Sequence, residues 1–212
     1  REAPTAVREA WTPEWEVKRK SPLRILGQVQ ATYILCEGEE GLILIDQHAA
    51  HERLLYEKYK KDHEIGSIPA EKLLLPIPME LSTEESFVLM SYLEEVESMG
   101  FEIDAIGERM VAIRTIPKLT EPFDPKGMVR EFLEELSFVK REGKGREAIH
   151  RMLVSLACHS AIRANFVLRR EEMEGLVGAL RPFHHSLTCP HGRPVFFVIS
   201  PEELARQFKR KG

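Results

Sequence analysis

From Gln28 to Cys36 the chain reads Gln-Val-Gln-Ala-Thr-Tyr-Ile-Leu-Cys. This β-branched and aromatic run predicts a strand. Glu37 to Glu40, with Gly38, predicts a hairpin turn, and Leu42 to Ile45 a short strand of the buried type. A charged helix is expected from about 48 to 62. Residues 72–80 are apolar but interrupted by Pro76 and Pro78, which predicts a short strand or a loop. Ser82 and Glu85 have capping-box spacing, and the helix they open would carry Leu89, Tyr92, Leu93 and Val96 on one face and stop at Gly100. Phe101–Ile106 and Val111–Ile116 predict a hairpin around Gly107. Asp124 followed by Pro125 predicts the start of a helix with Val129, Phe132, Leu133 and Leu136 inward. Helices near 147–162 and 171–180, a strand Val195–Ile199, and a final helix capped by Ser200, Pro201 and Glu203 complete the pattern.

Strands and a helix, then helix–hairpin–helix, then helices and a strand: this order predicts an α+β fold. Residues 71–145 read as an insertion between two halves of one lobe, about 21–70 and 146–212. Residues 1–20 hold Pro4, Trp11, Pro13, Trp15 and many charges without periodicity, as the remnant of a linker would. Together with a first residue that is Arg, this suggests a piece of something longer.

Composition narrows the classes. The 212 residues are 43% hydrophobic and 30% charged, which excludes global disorder. No apolar run approaches the roughly 18 residues of a membrane span, and the charged start is no signal peptide. The net charge of −4 does not advertise nucleic-acid binding, so any such role needs a local basic patch. Three separated cysteines, Cys36, Cys158 and Cys189, argue against a disulfide framework and for a reducing cytoplasm.

Three segments could carry chemistry. In the first, an apolar strand ends in Asp46 and a helix begins with Gln47, His48, Ala49, Ala50, His51 and Glu52. His48 and Glu52, four apart, lie about 40° from each other around a helix, so an imidazole and a carboxylate can grip one divalent ion, with Asp46 in reach. The bland alternative is an acidic helix cap beside a surface His–Glu pair. In the second, Cys189, Pro190, His191, Gly192, Arg193 and Pro194 place a thiolate and an imidazole in a restrained turn, which suits zinc. The alternative is a tight turn around a buried cysteine. In the third, Cys158 sits among Leu153, Leu156 and Ile162, where a core role is the commoner outcome. Cys36 reads as strand core. The loop 140–147, with Gly143 and Gly145, reads as a solvated linker whose Lys144 and Arg146 could touch phosphates, without the spacing of a phosphate-cradling loop.

Asp46-Gln47-His48-Ala49, then Glu52 and Glu57, resembles the endonuclease motif of the bacterial MutL family of DNA mismatch-repair proteins. Cys189 to Pro194 resembles that family's Cys-Pro-His-Gly-Arg-Pro motif. Ala157-Cys158 resembles its Ala-Cys-Arg motif with His159 in place of Arg, and Phe208-Lys209-Arg210 its Phe-x-Arg motif. The resemblance implies a C-terminal domain that homodimerises and nicks duplex DNA, with a regulatory lobe inserted in the dimerisation lobe and an ATPase domain elsewhere in the full-length protein. It implies that His48, Glu52, Cys158, Cys189 and His191 are metal ligands for manganese or zinc, and that Asp46 is essential. Glu57 is implied too, although five residues beyond Glu52 it turns away from the shared face.

The same likeness implies a sliding-clamp segment in the inserted lobe. Here it reads Glu71-Lys72-Leu73-Leu74-Leu75-Pro76, and Glu71 stands where the family has Gln. A carboxylate cannot donate the amide hydrogen bonds, so the clamp is expected to bind more weakly through Leu74 and Pro76. A mismatch-recognition protein would be a partner of the full-length protein.

The leading expectation is therefore metal-assisted phosphodiester hydrolysis. DNA would be held weakly and without sequence preference through Arg193, Lys144, Arg146, Lys209 and Arg210. The alternative is a zinc-stabilised dimerisation and docking module with latent activity.

Overall fold

The computed structural model describes residues 23–66, 68–119, 123–143, 147–162, 165–180 and 188–210. The linker expected at 1–20, and Lys144 and Arg146, lie outside the described residues. The strand expected over 28–36 is two strands. β1 (Arg24–Val29) and β2 (Tyr33–Gly38) are antiparallel, and Val29 faces Tyr33 across the turn. Gln30 and Ala31 turn the chain with φ of 51° and 47°. Left-handed φ is unusual for residues with a Cβ and costs roughly 1 kcal/mol each. Here Thr32 N donates to Val29 O (3.1 Å) and the Gln47 amide donates to Ala31 O (2.7 Å). The turn is held by a bond to a residue sixteen positions away, and neither of its left-handed positions is Gly or Asn.

β3 (Gly41–Asp46) pairs with β2, and β7 (Phe196–Ile199) pairs with β3, giving an antiparallel sheet ordered β1-β2-β3-β7. Gly41 has φ +117°, and a Cβ there would meet Ile199 O at 2.3 Å, so only glycine fits. Alternation along each strand gives the sheet two apolar faces. Ile34, Cys36, Ile43 and Ile45 point inward, where they pack with Ala49 and Ala50 of α1 (Gln47–Glu64) and with Met173, Leu176, Val177 and Leu180 of α6 (Arg170–Leu180). Leu35, Leu44 and Phe197, paired in one row across three strands, lie on the other face, and Phe197 is 63% exposed.

The second sheet is ordered β4-β6-β5, from β4 (Ala70–Glu80), β5 (Glu102–Ala105) and β6 (Met110–Pro117). The short strand or loop expected at 72–80 is an eleven-residue edge strand with a bulge between Lys72 and Ile77. Pro76 and Pro78 are tolerated because one sits in the bulge and β4 has a free side. The expected capping boxes at Ser82–Glu85 and Ser200–Glu203 both form, and Asp124 accepts from Lys126 N. The single helix expected up to Gly100 is broken into α2 (Thr83–Ser91) and α3 (Leu93–Ser98) at Tyr92, whose φ is −131°. Ser91 Oγ donates back to Phe87 O (2.7 Å), a contact that bends helices. α4 (Pro125–Arg141) buries Phe132 against Phe101, edge to face at 5.7 Å, and α5 (Ala148–Ser160) packs on α4. α7 (Pro201–Gln207) follows β7.

The fold is thus α+β, with seven helices and two antiparallel sheets among the described residues. Contacts divide the chain into Arg1–Leu55 with Ala161–Gly212, and Tyr56–Ser160. The division falls within α1 and after α5, beyond both ends of the 71–145 insertion read from the sequence. The reason is that α5 packs on α4, and Ser160 Oγ lies 2.9 Å from the Tyr59 hydroxyl. Among the described residues, no helix is long and apolar enough to cross a membrane.

Candidate metal centre

In the first unit the site begins where β3 becomes α1. Asp46 N donates to Val195 O (3.0 Å) and Gln47 N to Thr32 O (3.1 Å), which fixes the point of transition. Asp46 Oδ1 then accepts from His48 N (2.9 Å) and Ala49 N (3.0 Å), capping the helix. Oδ2 of this half-buried carboxylate takes no part in the cap.

One turn on, Glu52 is 1% exposed. Neither of its carboxylate oxygens meets a well-directed N–H or O–H donor, and the Cys189 thiol is its hydrogen-bonding neighbour. His191 Nδ1 nevertheless lies 2.6 Å from Glu52 Oε1, near but not aligned as a hydrogen bond. The sequence reading of a surface His–Glu pair does not hold, because Glu52 is buried and its imidazole neighbour is His191. A buried carboxylate without a directed donor is costly, and the cost is removed when a cation sits among such groups.

The turn that brings His191 there follows from its prolines and glycine. Gly192 N donates to Cys189 O (2.8 Å), which makes Cys189 to Gly192 a β-turn with Pro190 at its second position. Cys189 N donates to Arg193 O (2.8 Å), and Thr188 bridges Pro194 across the base. Gly192 takes φ +81°, open to glycine. Arg53 Nη1, on α1, reaches Thr188 O at 3.4 Å. Cys189 is 2% exposed, and its thiol is pushed above its usual value by burial first and then by the neighbouring Glu52 carboxylate. The Cys189 thiol and the His191 imidazole each neighbour the Glu52 carboxylate, and thiol, imidazole and carboxylate are donor types that suit zinc or another divalent ion.

His48 is half-buried, and its Nδ1 lies 2.8 Å from Ile162 O. His51, which the sequence reading left unassigned, is 2% exposed and accepts from Ile162 N at Nδ1 (2.8 Å). Its three-residue spacing from His48 was the available signal, since residues three apart share a helix face. Arg193, Lys209, Arg210 and Phe208 are exposed.

Among the described residues, five of the expected site residues belong to the second unit: Glu57, Glu71, Leu74, Pro76 and Cys158. Cys158, on α5, is exposed, so the core role expected for it does not hold. Its neighbours Ser155 and His159 contact Glu131 at 2.6 Å each. Glu57 is half-buried. Glu71 lies on β4 at the margin of the bulge, and Leu74 and Leu75, within it, are 101% and 80% exposed beside exposed Pro76. Cys36 is fully buried in β2, and burial pushes its thiol up to about 11.

Residues 26–168 match the model of the MutL C-terminal dimerisation domain. A DNA mismatch repair protein MutL of Trichlorobacter lovleyi is 37% identical over 190 residues, covering 90% of this chain and 32% of its own. The MutL protein of Dictyoglomus turgidum is 37% identical over 195 residues (92% and 34%), and that of Geotalea daltonii 34% identical over 198 (93% and 33%). The chain spans about a third of the length of these relatives.

Proposed function

The chain belongs to the family of MutL C-terminal dimerisation domains, and from that premise we propose that it is a metal-dependent endonuclease of DNA mismatch repair that nicks one strand of duplex DNA as a homodimer. The observation that carries the proposal is Glu52: a carboxylate 1% exposed, without a directed donor, against an imidazole and a thiol. Glu52, Cys189 and His191 would hold a divalent ion, zinc or manganese, with His48 as a further ligand on the same helix. Such an ion, when bound, draws charge from phosphoryl oxygens and lowers the pKa of a water.

The chain's own groups do the rest. Asp46 Oδ1 is committed to the helix cap, so Oδ2 is the atom that accepts a proton from the attacking water. Water oxygen bonds to phosphorus, the P–O ester bond breaks, the departing oxygen takes a proton from solvent, Asp46 returns its proton to solvent, and the strand is left with a phosphate end and a hydroxyl end. Exposed Arg193, Lys209 and Arg210 hold the flanking phosphates. These cations are few on a chain of net charge −4, so binding by this piece is weak and falls steeply with salt. The outer row Leu35–Leu44–Phe197 is the surface that a second copy covers. Leu74 and Pro76, presented on the β4 bulge, are the sliding-clamp contacts, weakened by Glu71. ATP acts through a domain elsewhere in the full-length protein.

The test is nicking of supercoiled plasmid at low salt with manganese, with and without zinc. Asp46→Asn is the control because Asn retains the capping oxygen. Open-circle product from the parent and none from Asp46→Asn supports the proposal. Equal product from both removes Asp46 from the site. No product from either favours the second reading, a zinc-stabilised dimerisation and docking module, which the thiol in the donor set also suits.

A further inference from the structure

We infer that His51 is a positioning residue that, acting through the backbone of Ile162, holds His48 in the tautomer whose Nε2 carries the lone pair. The inference rests on the reading of His48 as a metal ligand, and the geometry leaves little choice of proton positions. A carbonyl oxygen can only accept, so at 2.8 Å from Ile162 O the Nδ1 of His48 carries the proton. A backbone N–H can only donate, so at 2.8 Å from Ile162 N the Nδ1 of His51 carries the lone pair. One residue's N–H and C=O thus set the two imidazoles, in their neutral forms, in opposite tautomers. His48 is left with Nε2 able to bind an ion, and His51 with Nε2 protonated.

Ile162 can impose this because it is held in place. His51 and Ile162 are 2% and 6% exposed, so no water competes freely for either bond. Downstream, Phe166 O accepts from Gln28 Nε2 (2.9 Å) and Gln47 Nε2 (3.1 Å), and Leu168 N donates to Gln28 Oε1 (3.2 Å). Gln47 is fully buried and stands between Asp46 and His48 in the sequence. Removing the His51 acceptor would leave the Ile162 N–H buried and unpaired. The loss frees the peptide before Ile162, and a change in φ at Ile162 then carries over to the following peptide, whose carbonyl orients His48. Ligating histidines whose other nitrogen loses its partner bind metal about 10- to 100-fold more weakly.

The test reads tautomers directly, by two-bond proton–nitrogen correlation NMR of the metal-free chain above the imidazole pKa. The expected result is His48 protonated at Nδ1 and His51 at Nε2. In His51→Leu the His48 signal moves to a mixture of tautomers and manganese affinity falls about tenfold or more. In His51→Asn, whose Oδ1 stands where Nδ1 stood, both are restored. His48 protonated at Nε2 in the parent overturns the inference, as does a His48 tautomer unchanged in His51→Leu. Absence of metal binding by the parent instead defeats the site reading, while the tautomer pattern remains readable without metal.

Discussion

Glu52→Gln should reverse the order of stability of parent and variant when metal is added. In the parent without metal, a carboxylate 1% exposed has no directed donor. An unsatisfied buried acceptor costs about 1–3 kcal/mol, and more when charged. Gln keeps the size and removes the charge, so in chelator the variant gains on that order. At about 2–4 °C per kcal/mol for a chain of this length, the gain is roughly 2–12 °C in Tm. With zinc at about 100 times its Kd the parent gains about 2.7 kcal/mol, roughly 5–11 °C, and the variant gains almost nothing. The assay is thermal unfolding by circular dichroism in EDTA and in zinc. A variant that is less stable than the parent in EDTA and still gains the full zinc shift would refute the reasoning, because Glu52 would then be a satisfied structural group and not a ligand.

Alkaline pH should weaken the second unit. Burial pushes the Tyr59 hydroxyl from its ordinary 10.0 up to about 12, so its contribution is complete below pH 10 and is lost as pH rises toward 12. The loss is about 3 kcal/mol in urea unfolding, and Tyr59→Phe should flatten that part of the pH profile. Phe197→Glu, on the exposed sheet row, should convert the dimer to monomer in sedimentation while leaving Tm within a few degrees; a dimer that survives would place the interface elsewhere. Cys158 is exposed and Cys36 and Cys189 are buried, so iodoacetamide should label Cys158 first. The family likeness implies a ligand role for Cys158, and in that role zinc should slow the labelling at least tenfold; an unchanged rate would remove it from the ligand set.

The parts of the fold that announce themselves locally were legible in the sequence. Ser82–Glu85, Ser200–Glu203 and Asp124–Pro125 carry their own hydrogen-bond partners within three residues, and each helix starts where they sit. The turn at Gln30–Ala31 was not legible, because its left-handed residues are neither Gly nor Asn and a buried amide from Gln47 helps to hold it. Leu42 to Ile45 reads as one apolar run, yet Ile43 and Ile45 enter the core while Leu42 and Leu44 face out. A run of that kind records that both faces are apolar and says nothing of which partner covers each. The site followed the same division. The β-turn at Cys189 to Gly192 is written in Pro190 and Gly192, whereas the burial of Glu52 and the hold of His48 and His51 on Ile162 depend on segments more than a hundred residues apart.

In the proposed site Glu52, Cys189 and His191 hold one divalent ion. X-ray absorption at the zinc edge of the stoichiometrically loaded chain tests it most directly. The expected spectrum is that of a four-coordinate ion with sulfur at about 2.3 Å and nitrogen or oxygen at about 2.0–2.1 Å, with loss of sulfur scattering in Cys189→Ser. A shell of nitrogen and oxygen alone in the parent, unchanged by Cys189→Ser and by Glu52→Gln, would contradict it.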